Sequence, residues 1–315
     1  MELSKIVANQ VLIIFGLVVI GFILTKAKML TEKGVKDLTN ILLFVVTPCV
    51  LISSYQKEFS VSEAKKLGLA ALLAIGIHIV AIVISSLVFI KNDDKKFNRI
   101  NNFASVYSNC GFMAIPLLSE ALGAQGVFYG SMYLAVFTPL YWTHGVYVYT
   151  GGDKKEISLK KAFLNPGLIG TTLSLVLFIT GFWFKDYIPS VNIAVGTFKS
   201  VVSYMASLNT PLAMLVLGYY LANVNFLSCL KKPALYLVSI LRLGVIPIIG
   251  IYIMKLLNVD MEIAKAIIIP AACPTATVTT LFASRFKLDA EYSAELVSAT
   301  TLLSIITIPL VVMLI

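Results

Sequence analysis

Charge is what this sequence has least of. Asp, Glu, Lys and Arg make up 13% of its 315 residues, about half of the ~25% found in an average soluble domain. Two histidines and four cysteines complete a short inventory of reactive side chains. The cysteines (Cys49, Cys110, Cys229 and Cys273) lie in or beside apolar runs without metal-ligand spacing. They read as packing residues, and neither a disulfide framework nor a metal site is expected. GxSxG, HExxH and Walker-type motifs are missing, so neither an enzyme nor a cofactor is expected. No small-residue cleavage site follows the first apolar run before Lys26, so that run is not expected to be a cleaved signal.

Apolar sequence is plentiful: 58% of residues are hydrophobic and the mean hydropathy is +0.91. A membrane span takes about 20 mostly apolar residues, and ten segments qualify, near 6–25, 38–56, 67–90, 103–121, 125–149, 164–184, 194–222, 233–256, 261–283 and 291–315. The sequence therefore predicts an all-α polytopic membrane protein with ten transmembrane helices. The net charge of +9 would suit nucleic acid, but the lysines cluster in short loops between apolar runs. That is the pattern of cytoplasmic loops beside anionic lipid, so the bilayer, and not nucleic acid, is the expected partner.

Loop charge sets the orientation. With the N-terminus outside, the inner loops hold sixteen of the 25 Lys and Arg residues: Lys26, Lys28, Lys33, Lys36, Lys91, Lys95, Lys96, Arg99, Lys154, Lys155, Lys160, Lys161, Lys231, Lys232, Arg285 and Lys287. The outer segments hold seven, and Lys199 and Arg242 fall within spans. Both termini are expected outside the plasma membrane.

The two halves echo each other. Thr47-Pro48 has a counterpart in Thr210-Pro211, and Thr138-Pro139-Leu140 in Ile308-Pro309-Leu310. The span at 103–121 is interrupted by Ser108-Asn109-Cys110-Gly111 and Pro116, and the span at 261–283 by Pro270-Ala-Ala-Cys273-Pro274-Thr275. Five spans per half is an odd number, so the halves have opposite orientation. The expected organisation is an inverted repeat of residues 1–157 and 158–315.

Broken backbone at membrane depth survives only within protein or around a wet cavity. Half-helix N-termini attract anions through their dipoles and free N–H groups, so two breaks meeting at the midplane would hold a carboxylate. The expected binding residues are Asn109, Cys110 and Gly111 from the first break and Cys273, Pro274 and Thr275 from the second, with Thr47 and Asn209 lining the cavity. Ser108, Pro116 and Pro270 are read as helix breakers. Arg242, the one Arg well inside a span, is either a counter-charge for the ligand or a structural group bonding exposed carbonyls. His78 and His144 are read as packed or interfacial, with proton relay as the alternative. Glu120 and Glu295 are candidate ion or proton sites, and Lys199 is expected to reach an interface.

These motifs resemble the auxin efflux carrier family, whose bacterial members include proteins of the malate and malonate permease type. The resemblance spans nearly the whole chain and is strongest at residues 108–118, at Asn209-Thr210-Pro211-Leu212-Ala213-Met214 with Leu217-Gly218, and at Ala271-Ala272-Cys273-Pro274-Thr275. It implies that helices four and nine are broken and cross, and that helices one, two, six and seven form a scaffold and homodimer contact. The other six would be a transport bundle moving as an elevator. Asn109 and Pro274 match the family's crossover Asn and Pro. The plant carriers carry Pro-Asn-Thr where Ser108-Asn109-Cys110 stands, and a polar Ser within the stretch occupied here by Cys49-Val50-Leu51. A small organic anion is therefore expected in place of auxin. A cation-coupled symporter of the bile-acid type is the runner-up, with sodium or proton coupling undetermined, and a membrane sensor of metabolites is the third reading.

Overall fold

The computed structural model describes residues 2–89, 95–185, 188–224 and 232–315, the side chains of 2–8 and 95 excepted. Lys91, Cys229 and Lys231 lie outside the described residues. Among the described residues the regular elements are all helical. In order they are α1 (Glu2–Lys26), α2 (Glu32–Ile41), α3 (Thr47–Ser54), α4 (Val61–Phe89), α5 (Lys95–Val106), α6 (Ile115–Leu140), α7 (Val146–Thr150), α8 (Leu159–Phe163), α9 (Pro166–Ile179), α10 (Pro189–Ser207), α11 (Asn209–Ala222), α12 (Pro233–Ile240), α13 (Ile246–Leu256), α14 (Met261–Ala272), α15 (Val278–Arg285) and α16 (Ala290–Met313).

Among the described residues seven helical runs are long and apolar enough to cross a bilayer: Asn9–Lys26, Glu32–Ser54, Val61–Phe89, Cys110–Thr150, Pro189–Ala222, Pro233–Leu256 and Ala290–Met313. Three differences separate these from the ten predicted segments, each with a local cause. The fourth and fifth segments join into one helical run, which is nevertheless kinked at Gly123 (φ 64, ψ −160), a backbone that glycine adopts without strain. The sixth contains only the 14-residue α9. The ninth is interrupted after Ala272.

Proline accounts for a recurring irregularity. Its ring clashes with the carbonyl four residues back and it lacks an N–H. At Pro48, Pro116 and Pro247 the helix widens to a π-turn just upstream, over Leu42–Val46, Cys110–Ala114 and Leu241–Val245. In each case the residue before the proline donates five residues back: Thr47 to Leu42, Ile115 to Cys110, Ile246 to Leu241. A fourth π-turn, Tyr141–Gly145, follows Pro139. Pro116 thus starts a helix and does not break one. Pro270 likewise sits inside α14, which continues through Ala272. Of the three residues read as breakers, Ser108 lies in a break, Pro116 follows a π-turn at the second position of α6, and Pro270 stands two residues before the end of α14.

Two packed groups can be traced. In one, α1 lies along α11, and α3 is held between α9 and α10. Gly21 and Gly218 permit the α1–α11 contact: a Cβ on Gly21 would stand 2.6 Å from Leu215 O, and one on Gly218 would overlap Val18 O. In the other group, α6 packs on α4 and α14, and α16 on α14 and α15. Between them an aromatic cluster joins Tyr55, Phe128 and Phe178 (ring centroids 4.6 and 5.3 Å apart along Tyr55–Phe128–Phe178), and the Tyr55 hydroxyl is 2.7 Å from Ser131 Oγ.

Candidate functional site

The chain leaves α5 at Val106 and re-enters helix at Cys110. It leaves α14 at Ala272 and re-enters at Val278. The two extended pieces lie antiparallel and pair at Ser108 and Thr275. Asn109 N–H donates to Pro274 O at 2.7 Å, and Ala276 N–H donates to Tyr107 O at 2.9 Å. The pairing satisfies backbone groups that the broken helices expose, at a depth where Ser108, Asn109, Cys110, Cys273 and Thr275 are all at most 2% exposed. Unpaired, such groups would each cost several kcal/mol in hydrocarbon.

The carbonyl ends of the half-helices are capped with particular completeness. Thr275 Oγ1 donates to Ala104 O at 2.9 Å. Arg242, fully buried, donates through Nη1 to Ser105 O (3.2 Å) and Val106 O (2.8 Å), and through Nη2 to Ala271 O. One guanidinium therefore covers the C-terminal ends of both α5 and α14, where the helix dipoles are negative. Thr275 is held in turn by Thr300, whose Oγ1 accepts from Thr275 N–H at 3.2 Å.

The amide ends differ. Neither the Cys110 helix start (after Asn109) nor the Val278 helix start (after Thr277) has a side-chain cap. Among the described residues the buried Asn109 Nδ2 has no hydrogen-bond partner, and neither amide atom of the buried Asn209 has one. Asn209 opens α11, which packs against the Cys110–Ala114 turn.

Most of the predicted binding residues are therefore gathered in one place. Asn109, Cys110, Cys273, Pro274 and Thr275 form the paired breaks, Gly111 follows on the first turn, and Asn209 lies on a neighbouring helix. Thr47 is buried at the head of α3, whose packing is against α6, α9 and α10. Arg242 takes the structural of its two roles in this geometry. Cys49, Cys110 and Cys273 are free thiols.

Of the other ionisable residues named from the sequence, His144 reaches the first break through Tyr107. His78 is buried, its Nδ1 2.8 Å from Ala74 O and its ring against Tyr133. His144 Nδ1 is 2.9 Å from Tyr107 Oη, which itself donates to Leu140 O. Glu120 is exposed and accepts from Thr210 Oγ1. Glu295 is 2% exposed and ion-paired to Lys232 at 2.5 Å, while Lys199 Nζ donates to Trp183 O beside the Trp183 and Phe184 rings. Sequence reasoning did not anticipate Tyr107, Ala104 or Thr300, whose part in the site is played largely through backbone carbonyls or second-hand support.

Long apolar helices around two buried, paired helix breaks are the frame of a multi-pass membrane protein. The chain belongs to the auxin efflux carrier family: a family model described as "Membrane transport protein" matches residues 6–156 and 153–312. It is similar to an uncharacterized transporter of Methanocaldococcus jannaschii, 26% identical over 314 residues and 96% of both chains. It is also similar to one of Methanothermobacter thermautotrophicus, 23% identical over the same span and the same shares. Family and relatives are transporters, not enzymes.

Proposed function

We propose that this protein is a secondary transporter or facilitator of a small organic anion, a mono- or dicarboxylate, bound where the two broken helices meet. One observation carries this reading. The C-terminal ends are covered by Arg242 and Thr275, whereas the two N-terminal ends have no side-chain cap. With the negative dipole ends neutralised and the positive ends open, the local field favours negative charge. Asn109 Nδ2 and the Asn209 amide supply directional donors for carboxylate oxygens. Cys110, Gly111, Cys273 and Pro274 set the backbone around them, and Thr47 faces them from the other group.

In this proposal the chain folds as ten spans in two inverted five-helix repeats, 1–157 and 158–315, with the crossing formed by helices four and nine. The group containing α1–α3 and α9–α11 is the scaffold and homodimer contact. The group of α4–α7 and α12–α16 is a bundle that carries the site across the membrane as an elevator. The two matched segments of the family model, 6–156 and 153–312, support a division at that point. Basic loops facing the cytoplasm put both termini outside the plasma membrane.

Purified protein in liposomes should take up a labelled dicarboxylate, and Asn109→Ala should abolish uptake in protein that remains monodisperse. Uptake unchanged in that variant would remove the site assignment. Cation-coupled symport has one observation in its favour, the buried carboxylate of Glu295, although the Lys232 ammonium already meets its charge. Dependence of uptake on a sodium or proton gradient decides for it. Binding of the anion without counterflow would instead identify a sensor.

A further inference from the structure

We propose that the seam between α8, α9 and the Tyr141–Gly145 turn binds an anionic phospholipid from the leaflet that faces the basic loops. An open cavity of about 400 Å³ runs along α9, lined by Phe163, Leu168, Ile169, Thr172, Leu173 and Val176. From Leu168 to Val176 a helix rises about 12 Å, close to the roughly 15 Å depth of one leaflet's hydrocarbon. One acyl chain fits such a stripe.

The headgroup end of the groove is cationic. Phe163 closes α8, which also carries the exposed Lys160 and Lys161. Lys161 Nζ lies 5.7 Å from the centroid of the Trp142 ring, and Arg285 Cζ lies 5.8 Å from the same centroid. Two cations thus converge on one indole. The carboxylate paired with Arg285 is Glu156, 3.6 Å away and half exposed, which leaves the group with excess positive charge. Leu159, Phe163 and Leu164 are each more than half exposed, so α8 turns apolar side chains outward while its lysines sit at the depth of phosphate groups, as interfacial segments do. Basic pockets on that side of a membrane protein recognise anionic headgroups.

Charge complementarity selects an anion, and the apolar stripe selects a lipid over free phosphate. A second copy docking here through a two-fold axis would bring its own Lys160, Lys161 and Arg285 against the same cations. The proposal rests on the membrane orientation above and not on the identity of the transported anion.

Trp142 is a built-in reporter. The sequence holds two tryptophans, so Trp183→Phe leaves Trp142 as the sole indole. The protein is placed in phosphatidylcholine nanodiscs doped with either brominated-acyl phosphatidylglycerol or brominated-acyl phosphatidylcholine, and quenching is compared at equal mole fraction. Phosphatidylglycerol should be the stronger quencher, with a preference of about fivefold per cation. The further pair Lys161→Gln/Arg285→Gln should bring the two lipids level without changing the melting temperature, and inorganic phosphate should not compete. Equal quenching in the parent, a preference that survives the double variant, or competition by free phosphate would each overturn the proposal. Quenching lost as protein density in the bilayer rises would overturn it in favour of a second copy in the groove.

Discussion

Replacing Arg242 by Met should destabilise the protein by about 3–5 kcal/mol. The side chain donates to three carbonyls on two helices, Ser105 O, Val106 O and Ala271 O. A hydrogen bond between transmembrane helices contributes about 0.6–1.7 kcal/mol, and a buried carbonyl left unpaired costs roughly 1 kcal/mol or more besides. Three such losses, partly offset by rearrangement of the polar neighbours, give the stated range. Arg242→Lys separates charge from shape. An ammonium lacks the planar fork and can reach one helix end but not both, so about half the cost, on the order of 2 kcal/mol, should remain. Reversible unfolding in mixed micelles, followed by tryptophan emission, measures both variants, with liposome uptake in parallel. A Met variant within about 1 kcal/mol of the parent, less than the low end of one bond plus its orphaned carbonyl, would refute the capping role. So would a Lys variant with full stability and full uptake, which would make Arg242 a plain counter-charge.

Gly218→Ala should destabilise by about 1–3 kcal/mol, read by the same unfolding assay, because its Cβ would meet backbone of α1 at Val18 and Phe22 that no rotamer change can clear. Thr275→Val preserves shape and removes the donor to Ala104 O; a loss near 1 kcal/mol is expected, together with faster amide exchange at Ala276 as the pairing loosens. At the Lys232–Glu295 pair the two deletions should be unequal. Lys232→Met takes a cation from a carboxylate that is 3% exposed in its side chain and should cost more than Glu295→Gln, which leaves an ammonium already 37% exposed; melting temperatures of the two variants give the comparison.

The sequence was informative where irregularity is written in residue type. Asn109, Gly111 and Pro274 cannot sit comfortably in an unbroken span, and helix is indeed lost at residues 107–109 and 273–277. Pro116 and Pro270 stand beside the breaks, and a proline's effect depends on the turn before it. A π-turn precedes Pro116, and α14 carries Pro270 internally. Neither adjustment is encoded in the proline itself. Helix counts were legible where apolar length alone decides, as in α4, and less so where a short helix or an interrupted one carries the segment, as in α9 and α14. The contacts that hold the site were the hardest to foresee. Ala104, Ser105, Val106, Tyr107 and Ala271 act through carbonyls that every residue possesses, so their identities carry no signal. Arg242 carried one, since an Arg within a span demands partners, but which carbonyls it meets is a matter of distances that only the fold supplies.

Arg242 has a mechanical consequence as well as an electrostatic one. Its guanidinium, borne on the π-turn between α12 and α13, is rigid and planar, and it grips the ends of α5 and α14 at the same time. A slide of one helix against the other would stretch charge-assisted bonds made by a fully buried side chain. The three chain segments are therefore kinematically one part. Any displacement of one of the three is thereby coupled to the other two, whereas the contact of their neighbour α6 with α3 and α9 runs through the Tyr55–Phe128–Phe178 rings and the Tyr55–Ser131 hydroxyl pair.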